Sequence, residues 1–142
     1  MALTRTIPAL PVADLVAARD FYTSRLGFEV LHADDGVVVL RRDEAVLNLW
    51  PADHEDWLAR SDLSAKPVRS GAESFLAGTA SCRIEVSSAA EVDDLHAELA
   101  ATGVIHPTDT GAPAETEYGT LEFHVLDLDG NLISFHFWLP GR

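Results

Sequence analysis

Apolar and polar positions along the chain trace one pattern twice. Ile7-Pro8-Ala9-Leu10-Pro11-Val12 opens the first telling, a helical stretch follows to Leu26-Gly27-Phe28, and Gly36-Val37-Val38-Val39-Leu40 leads to Val46-Leu47-Asn48-Leu49-Trp50. The second runs from Cys82-Arg83-Ile84-Glu85-Val86 through another helical stretch to Thr102-Gly103-Val104-Ile105. It closes with Leu121-Glu122-Phe123-His124-Val125 and Leu132-Ile133-Ser134-Phe135-His136-Phe137-Trp138. Each half reads strand, helix, strand, strand, strand. A lone βαβββ unit leaves one sheet face unburied, so the two are expected to pack as paired modules. The prediction is an α+β chain whose modules build a curved mixed sheet with a concave cavity. Module one covers about 1–50, an insert about 51–80, and module two about 81–142.

Helix signals support the reading. Asp14 is placed to cap a helix carrying Leu15, Ala18, Tyr22 and Leu26 on one stripe, with Gly27 as its stop. Ser88 and Glu91 have capping-box spacing ahead of Val92, Leu95 and Leu99, with Gly103 as the stop. Asp34-Asp35-Gly36 and Asp129-Gly130-Asn131 read as turns between apolar strands. The insert is too long for a plain connection and is expected to serve as a binding loop, with a short helix at Trp57-Leu58. A second loop, Pro107 to Gly119, is rich in Pro, Thr, Gly and Glu.

Alternation sorts the closing hairpin into two faces. Ile133, Phe135, Phe137 and Leu139 share an apolar row with Leu121, Phe123 and Val125. Leu132, Ser134, His136 and Trp138 share the opposite face with Thr120, Glu122, His124 and Leu126. The same sorting groups Asn48 with Trp50, and Ser81 with Arg83 and Glu85. One apolar and one polar-aromatic face make a candidate concave binding surface. Taken singly, each of these residues has a plainer explanation: Glu122 and His124 face solvent if their strand is an edge, His136 is a satisfied structural histidine, and Trp50 and Trp138 fill core.

Size and charge narrow the functions. At 142 residues one compact domain is expected, and no apolar run reaches the roughly 18 residues of a membrane span. The opening Met-Ala-Leu-Thr-Arg-Thr has no apolar signal core, and the single Cys82 excludes an internal disulfide, so the expected compartment is the cytoplasm. A net charge of −13 disfavours nucleic acid and anionic membranes as partners and favours cationic ligands. Acidity of this size also serves solubility alone. Cys82 falls on the core side, and Ser134 and His136 stand too far apart along a strand for a direct hydrogen bond, so no nucleophile is indicated.

Two motifs carry a family resemblance. Pro11-Val12-Ala13-Asp14 with Phe21-Tyr22 and Leu26-Gly27-Phe28 resembles the opening of the vicinal oxygen chelate (glyoxalase, bleomycin resistance and dioxygenase) superfamily. Asp127-Leu128-Asp129-Gly130-Asn131-Leu132 resembles its closing strand-turn-strand, with Leu128 where proline is usual. The resemblance implies metal ligands at four strand positions, which here fall on Ile7, Asn48, Ser81 and Ser134. Ile7 is no ligand, and the other three are poor ones for zinc, iron or nickel. The usual metal site is therefore expected to be absent, with no cofactor. That absence resembles the bleomycin-resistance branch, whose members sequester a cationic glycopeptide drug without chemistry. Pro8 matches a proline that in the family lets the first strand cross to a partner. Tyr118-Gly119 resembles a Trp-Gly segment that supplies an aromatic wall, and the stretch Ser70 to Val86 is similar too. The resemblance further implies a homodimer with crevices between subunits.

The expected ligand is a bleomycin-type cationic aromatic molecule, held by aromatic faces beside carboxylates. The candidate site comprises Asn48, Trp50, Trp57, Phe75, Arg83, Tyr118, Glu122, His124, Ser134, His136 and Trp138. Asp34, Asp35, Glu73, Glu115, Glu117 and Glu122 are the candidate carboxylates. Two alternatives stay open. One is a metal-dependent lyase, isomerase or dioxygenase whose displaced site uses Glu122, His124 and His136. The other is a binder of a different aromatic or cationic metabolite.

Overall fold

The computed structural model describes the whole chain except His54, Glu55, Thr110 and Arg142. Module one consists of strand β1 (Ala9–Val12), helix α1 (Leu15–Arg25) and strands β2 (Glu29–Ala33), β3 (Val38–Arg42) and β4 (Ala45–Pro51). Module two repeats the order with β5 (Ser81–Glu85), α2 (Ala89–Ala100), β6 (Ala114–Glu115), β7 (Thr120–Leu126) and β8 (Leu132–Trp138). Each module folds its own four-stranded sheet, ordered β1-β4-β3-β2 and β5-β8-β7-β6, so the sheet is divided in two within one chain. In both, the first strand runs parallel to the last and the remaining pairs are antiparallel.

The helices begin and end where their caps dictate. Asp14 accepts from the Ala17 amide and Ser88 from the Glu91 amide, satisfying donors that a first helical turn leaves unpaired. Gly27 takes φ +73°, which lets the Phe28 amide reach back to the Tyr22 carbonyl and stop α1. Ala18, Tyr22 and Leu26 face the core from α1, as do Val92, His96 and Leu99 from α2. His96 interrupts an otherwise apolar stripe. Its ring meets Phe123 edge-on at 5.1 Å, so it packs as an aromatic body.

The expected alternation is met on the last hairpin: Phe123 stands opposite Phe135, Val125 opposite Ile133 and Leu121 opposite Phe137. These side chains join Leu10, Val12, Leu40, Leu47 and Leu49 of the other module in a single hydrophobic cluster. Three boundaries differ from expectation. The first strand starts at Ala9 rather than Ile7, because only the Pro8 carbonyl is held, by the Asn48 amide; Ile7 is 45% exposed. The second strand of module two is a two-residue pairing at Ala114–Glu115, while Ile105 forms only an isolated bridge to Val125. The Pro- and Gly-rich loop keeps it that short. The insert adds two 3-10 turns, Trp57–Ala59 and Ala72–Ser74, the second lying on β1 and β4 with Ala72 buried.

Module two is fastened to module one through the turn from Asp127 to Asn131. Fully buried Asn131 donates to the Pro11 carbonyl and to Asp127, and accepts from the Ala80 amide. Asp127 accepts from the Tyr22 hydroxyl at 2.8 Å, and Asp129 from the Ala13 amide at 2.9 Å. Gly78 closes the contact: a Cβ there would lie 1.9 Å from the Asp129 carbonyl oxygen, so no other residue fits. No helix among the described residues is long and apolar enough to cross a membrane.

Candidate functional site

Module two gathers most of the polar-aromatic residues on the sheet face away from the helices. Strand register sets two rows across it. Arg83, Ser134 and His124 stand abreast on β5, β8 and β7, and Glu85, His136 and Glu122 form the next row. Glu122 is the hub. It is 5% exposed, yet it accepts from Arg83 Nη2 at 2.5 Å, from the Tyr118 hydroxyl at 2.5 Å and from Thr120 Oγ1 at 3.2 Å. Burial alone would raise its carboxyl, but these donors outweigh it and hold the group below the usual carboxylate range. The plain reading of Glu122 as a solvent-facing edge residue is thereby corrected: β6 covers that edge and the side chain is buried.

The same geometry corrects its expected role as a free carboxylate for a ligand cation, since Arg83 already neutralises it. The Arg83 guanidinium also lies over the Tyr118 ring, 5.8 Å from its centroid. Tyr118 meets Trp138 edge-on at 6.4 Å, and Trp138 meets His136 at 6.1 Å. Tyr118 and Trp138 remain 56% and 52% exposed, so their ring faces are open to solvent. Burial pushes the His136 imidazole down, and Arg83 adds to the effect, so at neutral pH the ring is uncharged with Nδ1 unpartnered.

His124 is positioned by a residue the sequence reading did not single out. Asp109 accepts from the His124 amide at 2.8 Å and lies 3.3 Å from its Nδ1. His124 Nε2 is 3.7 Å from Glu122. Glu122, His124 and His136 therefore share a face, but among the described residues no three of His, Cys, Asp and Glu converge closely enough to hold a metal ion. Glu122 points to Arg83 and His124 to Asp109. Ile7, Asn48, Ser81 and Ser134, the positions that the family resemblance marks for metal ligands, include no side chain suited to zinc, iron or nickel.

Module one contributes Asn48 and Trp50 on the matching face of β4. Across the repeat Asn48 corresponds to Ser134 and Trp50 to His136. Asn48 Oδ1 is buried without a hydrogen-bond partner. Trp57 and Phe75 lie in the insert, outside the ring network of Tyr118, Trp138 and His136, with Phe75 53% exposed. Of the other carboxylates, Asp34 is bound to His32 and to its own turn, and Glu73 caps the Arg69 and Ser70 amides. Asp35 lies on the β2–β3 turn, and Glu115 and Glu117 both precede Tyr118 in the chain. Cys82 packs against the core, and burial raises its thiol to about 11.

Paired βαβββ modules, each a four-stranded sheet with one helix, define an α+β fold with a polar-aromatic face on the sheets. The chain belongs to the Glyoxalase/Bleomycin resistance protein/Dioxygenase superfamily, whose model matches residues 5–135. It is 43% identical over 133 residues, 94% of this chain and 96% of the relative, to a bleomycin resistance protein of Geobacillus stearothermophilus. The same identity and coverage hold for a bleomycin resistance protein of Staphylococcus aureus. Among solved structures, a bleomycin-binding protein complexed with bleomycin superposes with a TM-score of 0.67 at 22% identity, covering 95% of this chain and 98% of that one. The last likeness concerns the fold alone.

Proposed function

We propose that the protein binds bleomycin-type glycopeptide antibiotics and confers resistance by sequestration, without a covalent step. The observation that carries this reading is the 43% identity to bleomycin resistance proteins along nearly the full length of both chains. The site chemistry supports it. Exposed Tyr118 and Trp138 offer stacking faces for a flat heteroaromatic group, and the overall negative charge draws a cationic tail. The absence of chemistry in this proposal rests on Ile7, Asn48, Ser81 and Ser134, which stand where the family resemblance implies metal ligands and are unsuited to that role.

The functional unit in this proposal is a homodimer acting in the cytoplasm. One chain presents Asn48 and Trp50 on one sheet and Trp138 on the other, with Tyr118 in the turn before β7, and β5 pairs with β8 alone in its sheet. The free edge of β5 is open to pairing with a second copy, and Leu3 and Ile7 ahead of β1 are exposed apolar side chains for a partner to cover. Calorimetry with metal-free and copper-loaded bleomycin tests the proposal, on protein already assayed for bound metal. The expected result is saturable binding near one drug per chain without stoichiometric metal. Trp50→Ala and Tyr118→Ala should each weaken it about 2- to 30-fold, the equivalent of ~0.5–2 kcal/mol of aromatic contact. Unchanged affinity in both folded variants would refute the assigned face.

A further inference from the structure

The two modules meet in two places, and only one is filled. In the first, the five residues between Leu126 and Leu132 reach the β1–α1 junction and bond to Pro11, Ala13 and Tyr22. The repeat calls for a counterpart in which the turn of module one reaches the β5–α2 junction. That turn has only Asp43 and Glu44 between Arg42 and Ala45, and it falls short. A groove of about 540 Å³ remains, bounded by Arg42 to Ala45 on one side and by Ile84 to Ser87 with the outer face of α2 on the other. Counting from the N-caps Asp14 and Ser88, Ile84 to Ser87 are the equivalents of Leu10 to Ala13, the segment on which the longer turn sits.

The lining has a definite chemistry. Its floor is Phe28, Ile84, Val86, Leu95 and Phe135, all part of the core or packed against it. Its rim carries the carboxylates of Asp43, Glu44, Glu91, Asp94 and Glu98, with Glu91 bonded to the Ser87 hydroxyl, while Glu85 lends the rim its backbone and turns its side chain to the polar-aromatic face. The one cation, Arg42, is already bonded to both Glu98 oxygens, at 2.6 and 2.9 Å, and to the Leu26 carbonyl. The volume is that of a small-molecule site. The rim repels anions. It also lacks the convergence a metal ion needs, since no trio of acidic, His or Cys side chains among the described residues comes close enough. Carboxylates spaced along an apolar trough instead match a chain of methylenes carrying several ammonium groups.

We propose that this groove is a binding site for aliphatic polyamines, separate from the polar-aromatic sheet face. Charged nitrogens lie along the acidic rim while the methylene segments cover Ile84, Val86 and Leu95. The inference does not depend on what the sheet face binds.

Spermidine titrated into the full chain by calorimetry, at about 20 mM and about 150 mM salt, tests it. One saturable site per chain is expected, weaker at the higher salt. Glu44→Gln/Asp94→Asn, which removes two rim charges, should weaken binding at least about fivefold. Asp20→Asn/Asp35→Asn removes the same charge elsewhere, Asp20 being the α1 counterpart of Asp94, and should stay within about twofold of wild type. Tyr118→Ala should leave spermidine binding unchanged. Equal losses in the two double variants would assign the effect to diffuse acidity and overturn the proposal, as would the absence of a saturable site. Dissociation of an oligomer by spermidine, seen in sedimentation, would assign the groove to a second copy of the chain and overturn it too.

Discussion

Replacing Arg83 by alanine tests the electrostatics at the centre of the polar-aromatic face. The change removes the guanidinium bonded to Glu122, a carboxylate 5% exposed whose other close donors among the described residues are the neutral hydroxyls of Tyr118 and Thr120. Breaking a fully buried ion pair costs about 3–5 kcal/mol, whereas exposed pairs contribute about 0–1. Arg83 is 42% exposed, so this pair is wet at one end and dry at the other, and a loss of about 1–3 kcal/mol follows. For a domain of this size that is a fall in Tm of roughly 3–10 °C.

The pH dependence carries the sharper test. In the wild type Glu122 is held below its ordinary value, so its contribution is complete above the unfolded carboxylate pKa and lost as pH falls through the folded one. Without Arg83, burial is the dominant influence and the carboxyl moves upward; a protonated Glu122 then needs no cation. The stability difference between Arg83→Ala and wild type should therefore be largest near pH 7 and shrink on acidification. Adding Glu122→Gln to the variant should restore most of the loss at pH 7. Urea denaturation between pH 4 and 8 measures both effects. A difference below about 0.5 kcal/mol, or one that stays flat across that range, would sink the account of Glu122 as a buried, ion-paired hub.

Other consequences are equally direct. Asn131→Ala removes three hydrogen bonds, but the Pro11 carbonyl keeps its bond from the Gly78 amide and Asp127 keeps Tyr22, so only the Ala80 amide is orphaned. Chemical denaturation should show a loss of about 2–4 kcal/mol. Cys82, with its thiol raised to about 11, should react with a chromogenic disulfide at neutral pH far more slowly than free cysteine, and fully once the protein is unfolded. Affinity for bleomycin should fall as salt rises, mainly through the association rate, and stopped-flow mixing at several ionic strengths would detect a salt-independent rate if the negative field has no part in capture.

Much of the fold is written in local pattern. Alternation along Leu121 to Val125 and Ile133 to Phe137 sorts core from site side chains, and Asp14 and Ser88 announce their helices. What the pattern omits is register and long-range polar pairing. Glu122 reads as a free acid until Arg83 is known to stand one row away on a strand 39 residues earlier in the chain. Asp109 sits in a loop with no periodicity, so nothing local links it to His124. Tyr22 reads simply as core, and only the folded chain shows its hydroxyl bonded to Asp127. The groove did have a trace in the sequence, the two-residue Asp43-Glu44 turn against the longer Asp127 to Asn131, but it becomes meaningful only once the repeat is superposed on itself.

The fastening of Asp127, Asp129 and Asn131 onto Tyr22, Ala13, Pro11 and Ala80 has a mechanical consequence for the long connection between the modules. Gly78 and Ala80 belong to that fastening, whereas Leu63 and Ser64 lie outside it. A protease cut between those two residues would sever the chain without separating its halves. The nicked protein should run as two pieces on a denaturing gel, elute as one body from a sizing column and unfold in one transition. Peptide continuity there serves to bring the modules together; once they have met, the turn and the shared core hold them.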